Sequence, residues 1–189
     1  MSIRGFIAIP LTDELKAGIG DMVGSLKKTG ADVKWVKPEN LHLTLKFLGN
    51  IDMEKTKSIT YRISEIAGGY DDFEFMLNGT GVFPGNNRPR IIWIGIRDHM
   101  NLIKIAKKID AAMKGEGFEP EKRPFNPHIT IGRARSSKGI DKLIPELVKY
   151  RSMNFGTQKA ESIHLMKSTL KKRGAEYSSI FSAPLRRNS

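Results

Sequence analysis

The sequence predicts an α+β protein of antiparallel sheet with helices on one side, built as two similar lobes of one domain. Three observations carry that expectation. Apolar residues alternate at period two in several short runs and recur at helical spacing in others, without a regular strand–helix–strand rhythm. A nine-residue phrase occurs twice, as KPENLHLTL at 37–45 and RPFNPHITI at 123–131. No low-complexity linker separates the halves that carry it, so residues 1–189 read as a single domain.

The elements follow in chain order. IRGFIAI at 3–9 is short, apolar and closed by Pro10, which predicts a strand. Residues 12–28 place Leu15, Ile19, Met22, Val23 and Leu26 at helical spacing, and Gly30 ends that segment. VKWV at 33–36 and LHLTLKFL at 41–48 read as strands. Residues 53–67 predict a second helix that stops at Gly68 and Gly69. FEFMLNGTGVF at 73–83 and RIIWIGI at 90–96 are strands joined by the turn-rich PGNNRP. Met100, Ile103, Ala106, Lys107 and Ile109 set a helical rhythm over 99–114, before Gly115. The second phrase gives a strand within 123–133, and a short helix covers 140–149. ESIHLMKSTL and EYSSIFSAPL form a closing hairpin around KKRG.

Composition narrows the function. The 32 basic against 20 acidic residues leave a formal charge of +12, which suits a polyanionic partner. The basic residues spread along the chain, with a denser run at Lys171, Lys172 and Arg173, so they favour an electrostatic funnel over a basic tail. The absence of cysteine excludes disulfides and thiolate chemistry. No apolar run approaches the roughly 20 residues that cross a bilayer, and the N-terminus lacks a leader pattern. A cytoplasmic protein without membrane attachment, working as a monomer, is the expectation.

The repeated phrase carries the chemistry. Strand side chains alternate between faces. His42, Thr44 and Lys46 then share one face, and Leu41, Leu43, Leu45 and Phe47 the other. In the second copy His128 and Thr130 oppose Ile129 and Ile131. Pro38, Pro124 and Pro127 stiffen the approaches. If a pseudo-two-fold axis relates the lobes, both His–Thr faces meet in one cleft. Two imidazoles can divide general acid and general base work near neutrality. Two hydroxyls can donate to phosphoryl oxygens, with Lys46 and Arg133 further along the same strands as cations. A metal centre fits poorly, because neither histidine face carries a carboxylate; there is also no nucleophile elbow and no Walker-type phosphate loop. His99, at a helix start, and His164, in a strand, read as structural.

HLTL and HITI, one per half, resemble the paired His–x–Thr motifs of the two-histidine (2H) phosphoesterase superfamily. The supporting text is similar to its LigT-like branch, the RNA 2′,3′-cyclic phosphodiesterases or 2′-5′ RNA ligases. It includes RGFIAIPL, KWVKPENLHLTLKFLG, GVFPGNNRPRIIWIGI, FNPHITIGRA and ESIHLMKSTLKKRGAEYSSI. The resemblance implies a bilobal fold and cofactor-free, metal-independent opening of RNA 2′,3′-cyclic phosphate ends, tRNA fragments among them, to 2′-phosphomonoesters. It also implies reverse 2′-5′ ligation as a side activity. By family role His42 is the proton donor, His128 the acceptor, and Thr44 and Thr130 hold the phosphate with help from Arg133. The two phrases are too alike to assign donor and acceptor by themselves. Two alternatives stay open: a non-catalytic nucleotide- or RNA-binding module, and a cyclic phosphodiesterase of small nucleotides.

Overall fold

The computed structural model describes residues 2–86, 88–172 and 174–188. Among these, nine strands and four α-helices follow the order β1 (Ser2–Pro10), α1 (Asp13–Lys27), β2 (Val33–Trp35), β3 (His42–Asp52), α2 (Lys55–Ala67), β4 (Phe73–Phe83), β5 (Ile91–Arg97), α3 (Met100–Gly115), β6 (His128–Ala134), α4 (Ile140–Val148), β7 (Asn154–Ala160), β8 (Ser162–Lys171) and β9 (Gly174–Pro184). The α+β class and the two lobes stand as expected. So do the elements read from the sequence, apart from their ends. Asn87 of the PGNNRP turn and Arg173 of the KKRG turn lie outside the described residues.

Every named strand pairing is antiparallel, and the strands run β7-β4-β5-β6-β3-β1-β8-β9, with β2 also pairing β6. Lobe one is β3-β1-β8-β9; lobe two is β6-β5-β4-β7 with β2. The lobes join where β3 meets β6 on one rung, Leu43 opposite Ile129. Both of those residues are fully buried. They belong to one apolar cluster that includes Ile7, Ile9, Ile92, Ile94, Leu102 and Leu143 and lies behind the sheet. Fully burying each such aliphatic side chain contributes roughly 1.5–3 kcal/mol.

The helices cross between lobes. α1 leaves β1 of lobe one yet packs on β7 and α4 of lobe two. α3 leaves β5 of lobe two yet packs on β3 and α2 of lobe one. Thr12 caps α1, its hydroxyl accepting from Leu15 N at 3.4 Å, with Asp13 and Glu14 in the first turn complementing the helix dipole. Gln158 Oε1 accepts from Thr12 N at 2.9 Å, which ties that cap to β7. β7 itself escapes the sequence reading. NFGTQKA offers little apolar alternation, and its buried polar residue, Gln158, is made tolerable by that bond and by donation to Lys159 O at 2.6 Å.

Lys46 departs from the expected face. The register of β1 on β3 passes from Ile7–Lys46 to Ala8–Thr44, so Leu45 is the extra residue of a β-bulge. The bulge inverts the alternation beyond it. Lys46 turns inward, 2% exposed, and Phe47 turns outward, 61% exposed. The Lys46 ammonium reaches Asp110 Oδ1 of α3 at 2.6 Å and Glu119 O at 2.9 Å. Asp110 Oδ1 also accepts from Glu121 N at 3.0 Å. The lysine is therefore a clasp between β3, α3 and the loop that leads into the second phrase. Burial opposes ionisation of Asp110, but the bonds from Lys46 and Glu121 outweigh it and hold its carboxyl below the usual value. Lys46→Met should lose about 1–3 kcal/mol in urea denaturation at neutral pH. The parent's contribution from Asp110 is complete above the unfolded carboxyl value of about 4 and is lost as pH falls through the lowered folded value. K46M should therefore also flatten that acid-side slope.

Candidate active site

The rung between Leu43 and Ile129 fixes the geometry of everything polar beside it. In an antiparallel pair it places His42 opposite Thr130 and Thr44 opposite His128, all on the face away from the core. The two histidines are then diagonal neighbours, on the order of 7–8 Å apart. All four side chains are half-buried, exposed enough to meet a ligand and enclosed enough to limit water.

Each ring is held the same way. His42 Nδ1 lies 2.7 Å from Asn40 O, and His128 Nδ1 lies 2.8 Å from Asn126 O. A carbonyl only accepts, so Nδ1 carries the proton in both rings and Nε2 is left for a ligand. The shared Asn–x–His spacing thus supplies a backbone acceptor two residues before each ring. Asn40 does more, since its Nδ2 donates to Ala175 O at 2.8 Å and ties the first approach to the β8–β9 hairpin.

The second strand repeats the bulge. Ile92 pairs with Gly132 and Trp93 with Thr130, so Ile131 is the extra residue, at the same offset from His128 as Leu45 from His42. Strict alternation would have sent Arg133 to the apolar side. The bulge instead turns it to the face of His128 and Thr130, exposed, with Lys34 of β2 as its register partner. Gly132 takes the inward place that Lys46 holds in the twin. A Cβ there would meet Val33 Cγ1 at 2.8 Å. Of the six sequence-predicted site residues, the structure brings together His42, Thr44, His128, Thr130 and Arg133. Lys46 is not among them, for the reason given above.

Aromatic residues that the sequence reading passed over frame the pair. Phe6 lies 4.8 Å from the His42 ring, and Tyr177 lies 5.3 Å away at 85°. Phe83 lies 5.4 Å from the His128 ring at 83°, and Trp93 lies 5.0 Å from Phe83. Trp93 fits only because Gly81 lies beneath it, where a Cβ would overlap the indole. The signal was a faint one: each aromatic sits at an alternate position of a strand assigned mainly to the core. His164 shares the cleft face too, since Ala8 pairs with both Thr44 and His164. Its Nε2 lies 2.8 Å from Ser162 Oγ and its Nδ1 2.8 Å from Ser179 Oγ, so both nitrogens are engaged within the protein. Among the described residues no group of three or more His, Cys, Asp or Glu side chains is placed to hold a metal ion.

A family model described as LigT-like phosphoesterase matches residues 9–93 and again residues 94–177, once for each copy of the phrase. The chain belongs to the LigT-like phosphoesterase family. It is 38% identical to an RNA 2′,3′-cyclic phosphodiesterase of Methanocaldococcus jannaschii, covering 93% of this chain and 96% of that protein. It is 32% identical to an RNA 2′,3′-cyclic phosphodiesterase of Methanothermobacter thermautotrophicus, covering 94% and 96%. The crystal structure of E. coli LigT complexed with 3′-AMP superposes with a TM-score of 0.80 at 25% identity, covering 98% of this chain and 99% of that one. These matches span nearly the whole LigT-like fold, both lobes included.

Burial lowers the affinity of His42 for a proton, and the bond to Asn40 O only partly restores it. Burial lowers that of His164 as well. The folded state therefore prefers both rings neutral, whereas the unfolded chain protonates them near pH 6.5. The sign follows: their contribution to stability is complete above about 6.5 and falls as pH drops toward the lowered folded values. NMR titration should place His42 below 6.5 in the free protein and show it rising when inorganic phosphate is added. The stability slope over the same pH range should shrink in His42→Gln and in His164→Gln.

Proposed function

We propose that this protein hydrolyses the 2′,3′-cyclic phosphate at RNA ends to a 2′-phosphomonoester. The observation that carries the proposal is the matched pair of histidines, each with Nδ1 committed to a backbone carbonyl and Nε2 free, set diagonally across one rung. Such a pair suits in-line displacement at phosphorus, one ring on each side of the phosphoryl group.

The steps balance as follows. His128 Nε2 accepts a proton from water as the water oxygen attacks phosphorus. The bond from phosphorus to O3′ breaks, and His42 Nε2–H gives its proton to O3′. Thr44 and Thr130 donate hydroxyls to the non-bridging oxygens as negative charge builds there, and Arg133 adds a guanidinium on the same face. A ring whose proton is loosely held is the better acid once protonated, so the burial of His42 suits a donor. The arriving phosphate anion restores the proton that burial disfavours. With the 5′-hydroxyl of another RNA end attacking phosphorus in place of water, and O3′ leaving with the proton from His42 as before, the same site joins RNA ends through a 2′-5′ bond.

The formal charge of +12 supports RNA as the substrate, tRNA fragments among the candidates. One sheet that continues through both lobes supports a single domain acting as a monomer. Among the described residues no helix is long and apolar enough to cross a membrane, which accords with the cytoplasmic site of action proposed here.

An oligonucleotide ending in a 2′,3′-cyclic phosphate is the test substrate. The product should be the 2′-phosphate isomer, formed equally well with EDTA present and with a bell-shaped pH dependence. His42→Ala and His128→Ala should each reduce turnover by about 10²–10⁴-fold or more while the fold, followed by circular dichroism, is kept. Activity that vanished with EDTA and returned with a divalent ion would overturn the reading. So would substrate binding without turnover in the parent protein.

A further inference from the structure

One row of the cleft face differs between the lobes. In lobe one it runs Thr44, Ala8, His164 by register. Ala8 is small, and His164 fills the outer place with both ring nitrogens bonded to serine hydroxyls, beyond the aromatic wall that Phe6 and Tyr177 set beside His42. In lobe two the same row runs Thr130, Trp93, Gly81. There the large side chain stands next to the threonine, and the outer place carries none. A Cβ at Gly81 would overlap three atoms of the indole, and one at Gly95 would stand 3.3 Å from Cζ3. The indole therefore lies along the sheet over two glycines, half-buried, with Phe83 linking it to the His128 ring.

This row opens outward into a pocket. Among the described residues β7 stops pairing with β4 at Asn78, so the β4 backbone from Thr80 to Val82 is an open sheet edge. A pocket of about 260 Å³ runs from Trp93 over that edge to the end of α4, where Ile144, Val148 and Arg151 line it. Thr80 Oγ1 donates to Leu147 O at 2.8 Å and pins the edge to α4. Val148 is 52% exposed, an apolar wall that faces water. Among the described residues that line the pocket none is a carboxylate, and Asn86 and Arg151 are its exposed polar groups. The volume lies just under the roughly 300 Å³ at which sites for drug-sized molecules begin, which fits one planar ring system. An indole, aliphatic walls, open-edge backbone groups and a cation are what stack a nucleobase, bond its edge and meet a phosphate.

We propose that this pocket takes the first nucleoside of a second RNA, the one whose 5′-hydroxyl attacks the cyclic phosphate in 2′-5′ joining. The inference rests on the cyclic-phosphate reading above and deepens it. By that reading the attacking oxygen stands on the His128 side, and Trp93 lies one strand, about 5 Å, from Thr130 on that side. With the base on the indole, the 5′-hydroxyl points back toward phosphorus. His128 Nε2 takes its proton as the bond from the 5′-oxygen to phosphorus forms. The bond from phosphorus to O3′ breaks, and O3′ leaves with the proton from His42. Arg151, at the far end, meets the phosphate that follows this nucleoside. A water molecule needs none of these contacts, so the pocket sets the balance between joining and hydrolysis.

An oligonucleotide with a cyclic phosphate end, incubated with a second that carries a 5′-hydroxyl, yields joined and hydrolysed products whose ratio is the readout. With the second strand below saturation, Trp93→Ala should lower that ratio about 5- to 150-fold, and Trp93→Phe should recover part of it. Arg151→Glu, at an exposed position, should lower it as well. Binding is read separately. The chain has two tryptophans, so in Trp35→Phe the indole emission is that of Trp93 alone, and a 5′-hydroxyl dinucleotide should quench it saturably. A ratio that neither W93A nor R151E moves overturns the proposal, as does emission that the dinucleotide leaves unchanged. A parent protein that hydrolyses the cyclic end yet joins nothing overturns it too, and leaves the hydrolytic reading intact. Saturable quenching without either product sinks the phosphodiesterase reading and leaves the nucleoside pocket standing.

Discussion

A single antiparallel rung, Leu43 opposite Ile129, holds this site together. Both side chains are fully buried, so the rung is anchored from the core side. Its polar neighbours then have no choice of position. Antiparallel pairing sets each histidine against the other strand's threonine and the two imidazoles on a diagonal. A slip of one residue in either strand would send a histidine into the apolar layer and a leucine or isoleucine into the cleft. The packing energy of the core is therefore also what enforces the arrangement of the cleft.

The two bulges are the second constraint. Each lets a short strand obey two patterns: strict alternation through His–x–Thr, then an inverted one. In lobe one the inversion carries a lysine inward to grip α3 and the following loop. In lobe two it carries an arginine outward beside the threonine. A site that is symmetric at its centre becomes different at its two ends with no change in backbone plan.

Much of this was legible in the sequence. Period-two and helical spacing located most elements, and the duplicated phrase located four of the polar groups. Lys46 and Phe47 were misplaced because alternation says nothing about where an extra residue will enter. Leu45 looks like any apolar strand residue, and the bulge is visible only in the partner's register. β7 was missed because its buried position is a glutamine, satisfied by the distant Thr12 N, and no local pattern announces a bond across 146 residues. The aromatic wall was hidden because Phe6 and Tyr177 come from strands far apart in the chain. His164 was read as structural, and its bonding to Ser162 and Ser179 accords with that.

The crossing of α1 and α3 makes the two lobes inseparable. The first helix of each half of the chain packs on the lobe opposite the one that holds its preceding strand, and each lobe draws strands from both halves. A half-length polypeptide folded this way would leave an apolar sheet face bare unless a second copy supplied the cover. The plan is that of an isologous, element-exchanging pair contained in one chain, with the His–Thr pairs beside the rung that joins the two lobes. Because one chain carries both copies, equivalent places can hold different residues, as Phe47 and Arg133 do, which no pair of identical subunits could.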